Sequence, residues 1–202
     1  VTVVAEVAAR PLRVAAIVLA AGASTRMGRN KLLLPVEGEA MVHRTVRRVR
    51  DAGCDPVIVV TGHDAELVRG ALRTLEVRFA TSPAPTGPTS ASLHAGLHAM
   101  PADVDAALVM LADMVQVTTP MLRALIDAAA TGSEPLGVSR YGDVLAPPLL
   151  FRRALWPELL AWHGEGCGKA VVRAHEAEAR MHDWPEPALQ DVDTPADYDS
   201  VR

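Results

Sequence analysis

A chain of 202 residues with a formal charge of −4 is long enough for one domain with a sizeable core, and lacks the basic surplus that a nucleic-acid surface needs for counterion release. Half of its residues are hydrophobic yet only 3% are aromatic, so the core is expected to be Ala, Val, Leu and Met in close helix–sheet contact. Two cysteines, Cys54 and Cys167, fit neither a zinc spacing nor a disulfide framework and point to a reducing, cytoplasmic setting, and no apolar run approaches a membrane span.

Residues 1–12 have a basic end but no long apolar centre, so they are read as a flexible leader ahead of one domain over 13–202. The apolar run 14–21 has the length of a strand buried on both faces. After it, 22–28 supplies small residues, hydroxyls and a cation. Gly22 and Gly28 allow tight turning and close backbone approach to an anion, and Arg26 and Lys31 add formal charge. Arginine offers a planar fork to two oxygens, whereas lysine is a compact point charge. Neither common phosphate-loop pattern, Gly-x-x-x-x-Gly-Lys-Ser/Thr or Gly-x-Gly-x-x-Gly, is present.

Helical spacing follows over 40–52, then a strand over 57–60 ending at Thr61-Gly62-His63. A helix is expected over 65–75 with Leu67, Val68, Ala71 and Leu72 facing inward, then a short strand over 77–80. The prolines of 82–90 exclude regular structure, and helical spacing returns over 90–100. A fourth buried strand, 106–112, runs directly into Asp113. Thr118 or Thr119 caps the next helix, with Pro120 in its first turn. The last third is less regular: short strands over 136–140 and 144–146 around a turn, an apolar segment 149–151 after Pro147-Pro148, and helices over 153–162 and 169–178. Strands alternating with helices predict an α/β fold with a mostly parallel sheet, in which groups just beyond the strands' carboxyl ends face the ligand crevice.

Asp113 stands at such an end, where a carboxylate suits Mg²⁺ bound to phosphates; capping of a turn before Thr118 is the structural alternative. Asp191 and Asp193, two apart on an extended segment, share one side of it, and helix capping by Asp193 or Thr194 ahead of Pro195 is again the alternative.

Leu19-Ala20-Ala21-Gly22, with Ser24, Arg26, Met27-Gly28 and the run from Lys31 to Pro35, resembles the signature of nucleotidyltransferases with the nucleotide-diphospho-sugar transferase fold, and within them the MobA-like branch that attaches a nucleotide to the molybdenum cofactor. The resemblance implies a single Rossmann-like three-layer α/β/α domain and transfer of a nucleotide to a phosphorylated acceptor with release of pyrophosphate. It implies catalytic roles for Arg26 and Lys31, and Mg²⁺ on Asp113 and Asp193, with Asp191 as second choice for the latter. Leu19, Ala20, Ala21, Gly22, Gly28, Thr61, Gly87, Ser90 and Ser92 are the implied nucleotide contacts. Ala21, in place of the glycine of Leu-Ala-Gly-Gly relatives, favours a pyrimidine and hence CTP, with molybdopterin as acceptor and a molybdoenzyme or its chaperone as recipient. Gly142, Pro147-Pro148 and Phe151, and the stretch from Gly164 to Lys169, resemble the family's acceptor-side segments. Two departures stand out: Ala112-Asp113-Met114-Val115 replaces Gly-Asp-Met-Pro, and Glu165 and Lys169 stand near the usual Asp and Arg. Competing readings are guanylyl transfer or another phosphorylated acceptor, an NAD(P)H-dependent pigment reductase, and a non-catalytic module that hands on a cofactor.

Overall fold

The first apolar run becomes the strand around which the sheet is built. In this computed structural model, which describes residues 10–22, 28–166 and 168–201, β1 (Val14–Ala20) is buried along its whole length. It lies between β4 (Val57–Thr61) and β6 (Ala106–Leu111), parallel to both, and β5 (Arg78–Thr81) extends the parallel half beyond β4. The other half is β8 (Val144–Arg152), antiparallel to β6; β7 (Leu136–Tyr141), antiparallel to β8; and β9 (Arg180–Trp184), parallel to β7. The order across the seven strands is β5-β4-β1-β6-β8-β7-β9.

Alternation along β1 sorts the core into two layers. Ala16, Val18 and Ala20 face α1 (Met41–Asp51), α2 (Ala65–Ala71) and α4 (Thr119–Thr131). Ala15, Ile17 and Leu19 face α3 (Thr89–His98), α5 (Trp156–Ala161) and α6 (Lys169–Ala174). The close contact expected of an aromatic-poor core is seen at Gly96, where a Cβ would lie 2.5 Å from Cγ2 of Ile17. Among the described residues no helix is long and apolar enough to cross a membrane.

Several expectations need correction. The helix expected over 65–75 ends at Ala71, and Leu67 is 57% exposed while Val68 and Leu72 are buried, so the apolar stripe is one residue narrower than read. The helix expected over 169–178 stops at Ala174 and gives way to a short 3-10 turn at Glu176–Glu178. Pro147 and Pro148 do not interrupt β8: the register with β7 shifts between Val138 and Ser139, and the Tyr141 and Ser139 hydroxyls donate to the Pro147 and Pro148 carbonyls at 2.9 and 2.7 Å. Strand β9 had no apolar run to reveal it; it is a half-covered edge strand. Of the expected leader, Arg10 is tied down by two hydrogen bonds to Asp105 (2.8 and 2.7 Å) and Leu12 packs against the core; residues 1–9 lie outside the described residues.

A small hairpin, β2 (Pro35–Val36) and β3 (Glu39–Ala40), leads into α1, its turn made by Glu37 and Gly38 at φ 51° and 81°. Glu39 anchors it to α1: its carboxylate accepts from Arg47 Nε and Nη2 at 3.0 and 2.9 Å and contacts His43. The Arg47 hydrogen bonds outweigh burial and hold the Glu39 carboxyl at about 2, below its ordinary 4.5. A depressed carboxyl contributes stability above its unfolded value and loses it as pH falls through the folded one. Glu39→Gln is therefore expected to lower unfolding free energy by about 1–2 kcal/mol at pH 7, after allowance for partial exposure. Denaturant titrations should show the gap between wild type and variant closing between pH 4.5 and pH 2.

Candidate active site

Strands β1, β4 and β6 run parallel, so their carboxyl ends open on one edge of the sheet. Gly62 follows β4, and a Cβ there would lie 2.4 Å from the Ala21 carbonyl oxygen and 2.6 Å from Cβ of Pro85. Only glycine lets these three segments meet. Where they meet, a cavity of about 300 Å³ opens. Its lining includes Leu19, Ala20, Ala21, Gly22 and Leu111 from the strand ends; Lys31 and Leu32; Gly87, Thr89 and Ser92 around the start of α3; and Asp113 and Asp193.

Of the residues implied as nucleotide contacts, Leu19, Ala20, Ala21, Gly22, Gly87 and Ser92 thus share this cavity. Thr61 and Ser90 do not. Thr61 is fully buried and donates to the Ala80 carbonyl at 3.3 Å. Ser90 is buried with its hydroxyl accepting from Gly164 N at 3.0 Å. Gly28 is outside the lining, in a left-handed conformation at φ 65°, and His63 is exposed beyond it. Arg26 and Ser24 lie outside the described residues. Pro85, Gly62, Thr89 and Leu111 were not singled out from the sequence; only Gly62, directly after a buried strand, carried a signal, that of close backbone approach.

Lys31 opens a 3-10 turn capped by Asn30, whose side chain accepts from Leu32 N at 3.0 Å. Its ammonium reaches Asp113 Oδ2 and Asp193 Oδ1, each at 2.6 Å, with side-chain exposures of 13%, 14% and 35% respectively. Burial alone would lower the Lys31 pKa, but the Asp113 and Asp193 carboxylates prevail and hold it above the ordinary lysine value.

Neither aspartate is used as a helix cap. Thr118 caps α4, accepting from Met121 N, and α7 (Pro195–Val201) is closed by Thr194 and Asp197, whose carboxylate accepts from Thr194 N at 2.7 Å and Asp193 N at 3.1 Å. One carboxylate oxygen from each of Asp113, Asp191 and Asp193 lies within 4.8 Å of the others. Oxygen desolvation and the charges of Asp113 and Asp193 raise the Asp191 carboxyl, although the residue as a whole is exposed.

Asp113 Oδ1 is buried and has no hydrogen-bond partner. A buried carboxylate oxygen is costly to leave unpaired, and three convergent carboxylates suit a hard divalent cation. The residues fit a metal held by Asp113, Asp193 and Asp191. Their placement has a packing cause: Val192, between the two tail aspartates, is fully buried in a small third cluster with Leu34, Val36, Met41 and Val115.

A second cavity, about 250 Å³, adjoins the first through Thr89 and Leu111. Met114, Val144, Ala146, Pro147 and Leu189 make it apolar, and Gly166, Lys169 and Asp191 border it. Of the segments resembling the acceptor side, Pro147, Gly166 and Lys169 are here; Phe151 is fully buried in the core, and Gly142 and Pro148 are not in the lining. Two cavities meeting beside a cation and three carboxylates can hold a polyanion and a second reactant together.

The MobA-like NTP transferase domain family model matches residues 16–179. The chain is 29% identical to purine catabolism protein PucB of Bacillus subtilis, covering 91% of this chain and 93% of that protein. It is 28% identical to a probable molybdenum cofactor guanylyltransferase of Synechococcus elongatus, over 93% and 97%. The crystal structure of Rv0371c from Mycobacterium tuberculosis superposes with a TM-score of 0.82 at 28% identity, over 95% and 98% of the two chains. The same protein in complex with manganese gives 0.76 at 27%, over 94% and 97%. With an anion-sized cavity at the switch point of the sheet, a lysine among carboxylates, and a family match across most of its length, the chain belongs to the MobA-like NTP transferase domain family and is a nucleotidyltransferase.

Proposed function

We propose that the protein transfers the cytidylyl group of CTP to a phosphate oxygen of a molybdopterin-type acceptor, with Mg²⁺, in the cytoplasm. The acceptor oxygen forms a bond to the α-phosphorus, the bond from that phosphorus to the bridging oxygen breaks, and pyrophosphate leaves with the electron pair. No covalent intermediate with the protein is needed. The product passes to a molybdoenzyme or its chaperone.

The observation that carries this reading is the Lys31 ammonium seated between Asp113 and Asp193 at the 300 Å³ cavity. A compact cation there steadies the charge that grows on the departing pyrophosphate. Arg26 shares that task. Leu19 to Gly22, Gly87 and Ser92 hold the nucleotide, and the second cavity orients the acceptor for in-line attack. The metal, held by Asp113 and Asp193 with Asp191 beside them, neutralises the triphosphate when bound. The manganese complex of Rv0371c supports this, since Mn²⁺ and Mg²⁺ share a preference for carboxylate oxygens. The Ala21 methyl in the cavity lining supports the smaller base.

The relative named a guanylyltransferase favours GTP as the second reading. Incubation with Mg²⁺, molybdopterin and each of the four triphosphates, with pyrophosphate as readout, separates the two. Release with CTP alone is expected, and release with GTP alone would replace it by guanylyl transfer. No release with any triphosphate, together with NAD(P)H oxidation, would turn the assignment to a reductase.

A further inference from the structure

The segment 162–166, whose Gly166 borders the second cavity, carries almost no apolar anchorage. Among residues 162–166 none is buried, and Gly164 and Gly166 take φ values of 150° and 93°. It is held by hydrogen bonds to the first residues of α3, with an edge-to-face contact of the His163 ring on His94 further along that helix, centroids 5.3 Å apart. Glu165 Oε2 accepts from Thr89 N at 3.1 Å and from Thr89 Oγ1 at 2.5 Å. Ser90 N donates to the Gly164 carbonyl and Gly164 N donates to Ser90 Oγ, both at 3.0 Å.

These bonds meet a need of the helix itself. The N-cap position of α3 is Pro88, which offers no side-chain cap, so the first N–H groups require an acceptor from elsewhere. Glu165 supplies a carboxylate where the helix dipole favours one. The same contact, through the Thr89 hydroxyl first and its N–H second, holds the Glu165 carboxyl below the usual carboxylate range.

Among the described residues, Thr89 is one of two that line both cavities. Its hydroxyl proton is donated to Glu165, so towards any further partner the Thr89 oxygen can act only as an acceptor. Lone pairs accept from a hydroxyl or amine and repel an anionic oxygen. A carboxylate already on the N-terminus of α3 disfavours a second anion there.

We propose that Glu165 is a positioning residue of the acceptor subsite: through Thr89 it fixes segment 162–166, whose Gly166 borders the second cavity, and sets Thr89 to receive a hydrogen-bond donor of the acceptor. This rests on the second cavity being the acceptor's, as in the reading above. Ser90 serves the same staple.

The test uses the full chain with CTP, Mg²⁺ and molybdopterin. Glu165→Ala is expected to raise KM for molybdopterin about tenfold, the loss of charge-assisted hydrogen bonds, with KM for CTP within about twofold. Amide exchange of 162–166 should accelerate about tenfold or more as the staple opens. Glu165→Gln keeps an acceptor oxygen for Thr89 N and should restore most of both. Equal rises in the two KM values, or no change in either, would overturn the proposal, as would unchanged amide exchange. The exchange measurement does not depend on turnover: inactivity of the wild type with molybdopterin counts against the reaction assignment, and unaltered exchange in Glu165→Ala counts against the staple.

Discussion

Asp113→Asn is expected to lower pyrophosphate release at saturating substrates by about 10²–10³-fold, on the scale of losing one preorganised electrostatic group at a reacting phosphate. The melting temperature should hold or rise. Asn has the same shape, and the Lys31 ion pair that is lost leaves Asp193 still paired with Lys31 at 2.6 Å, while the change removes a charge whose Oδ1 is buried without a partner and which stands within 4.8 Å of two other carboxylates. Sites of chemistry commonly carry such local cost, and relieving it trades activity for stability. Asp191→Asn should cost less, about tenfold, because this exposed residue borders the second cavity and not the first. Turnover by Asp113→Asn within threefold of wild type would remove Asp113 from the catalytic machinery.

Lys31→Met separates two roles of one ammonium. Turnover should fall by about 10²–10³-fold, since no other described cation lines the first cavity. Stability without divalent ion should drop by about 1–3 kcal/mol, because Asp113 and Asp193 are left facing each other without the lysine between them. Mn²⁺ alone should then raise the melting temperature of the variant more than that of wild type, where the ammonium competes for the same oxygens. A ligand at 100 times its Kd stabilises by about 2.7 kcal/mol, enough to offset the loss. Thermal melts with and without Mn²⁺ read this directly, and an equal shift in both proteins would mean that the ion binds elsewhere.

The parallel half of the sheet was legible because three of its strands, β1, β4 and β6, are nearly continuous apolar runs and its helices carry periodic stripes. Leu19 to Gly22 and Asp113 were legible for the same reason, since they lie at strand ends; Lys31, in a 3-10 turn well past the end of β1, was legible from its charge and the motif it completes. The antiparallel half was harder. Two prolines looked like a break in β8, yet side-chain hydroxyls from β7 satisfy the carbonyls there, a tertiary contact with no local trace. Thr61 and Ser90 have the residue types of ligand contacts, but each is buried against backbone partners from distant segments. Glu165 was visible only as a departure from a motif; its role depends on α3 lacking a cap of its own.

Lys31, Asp113 and the Asp191–Asp193 pair come from three remote parts of the chain, and the patch holding Val192 against Leu34 and Val115 joins all three. It is far smaller than either layer beside the sheet. Competence to react and integrity of the fold therefore have separate weak points: warming that loosens a few aliphatic side chains scatters the charges while the seven-stranded sheet is still paired.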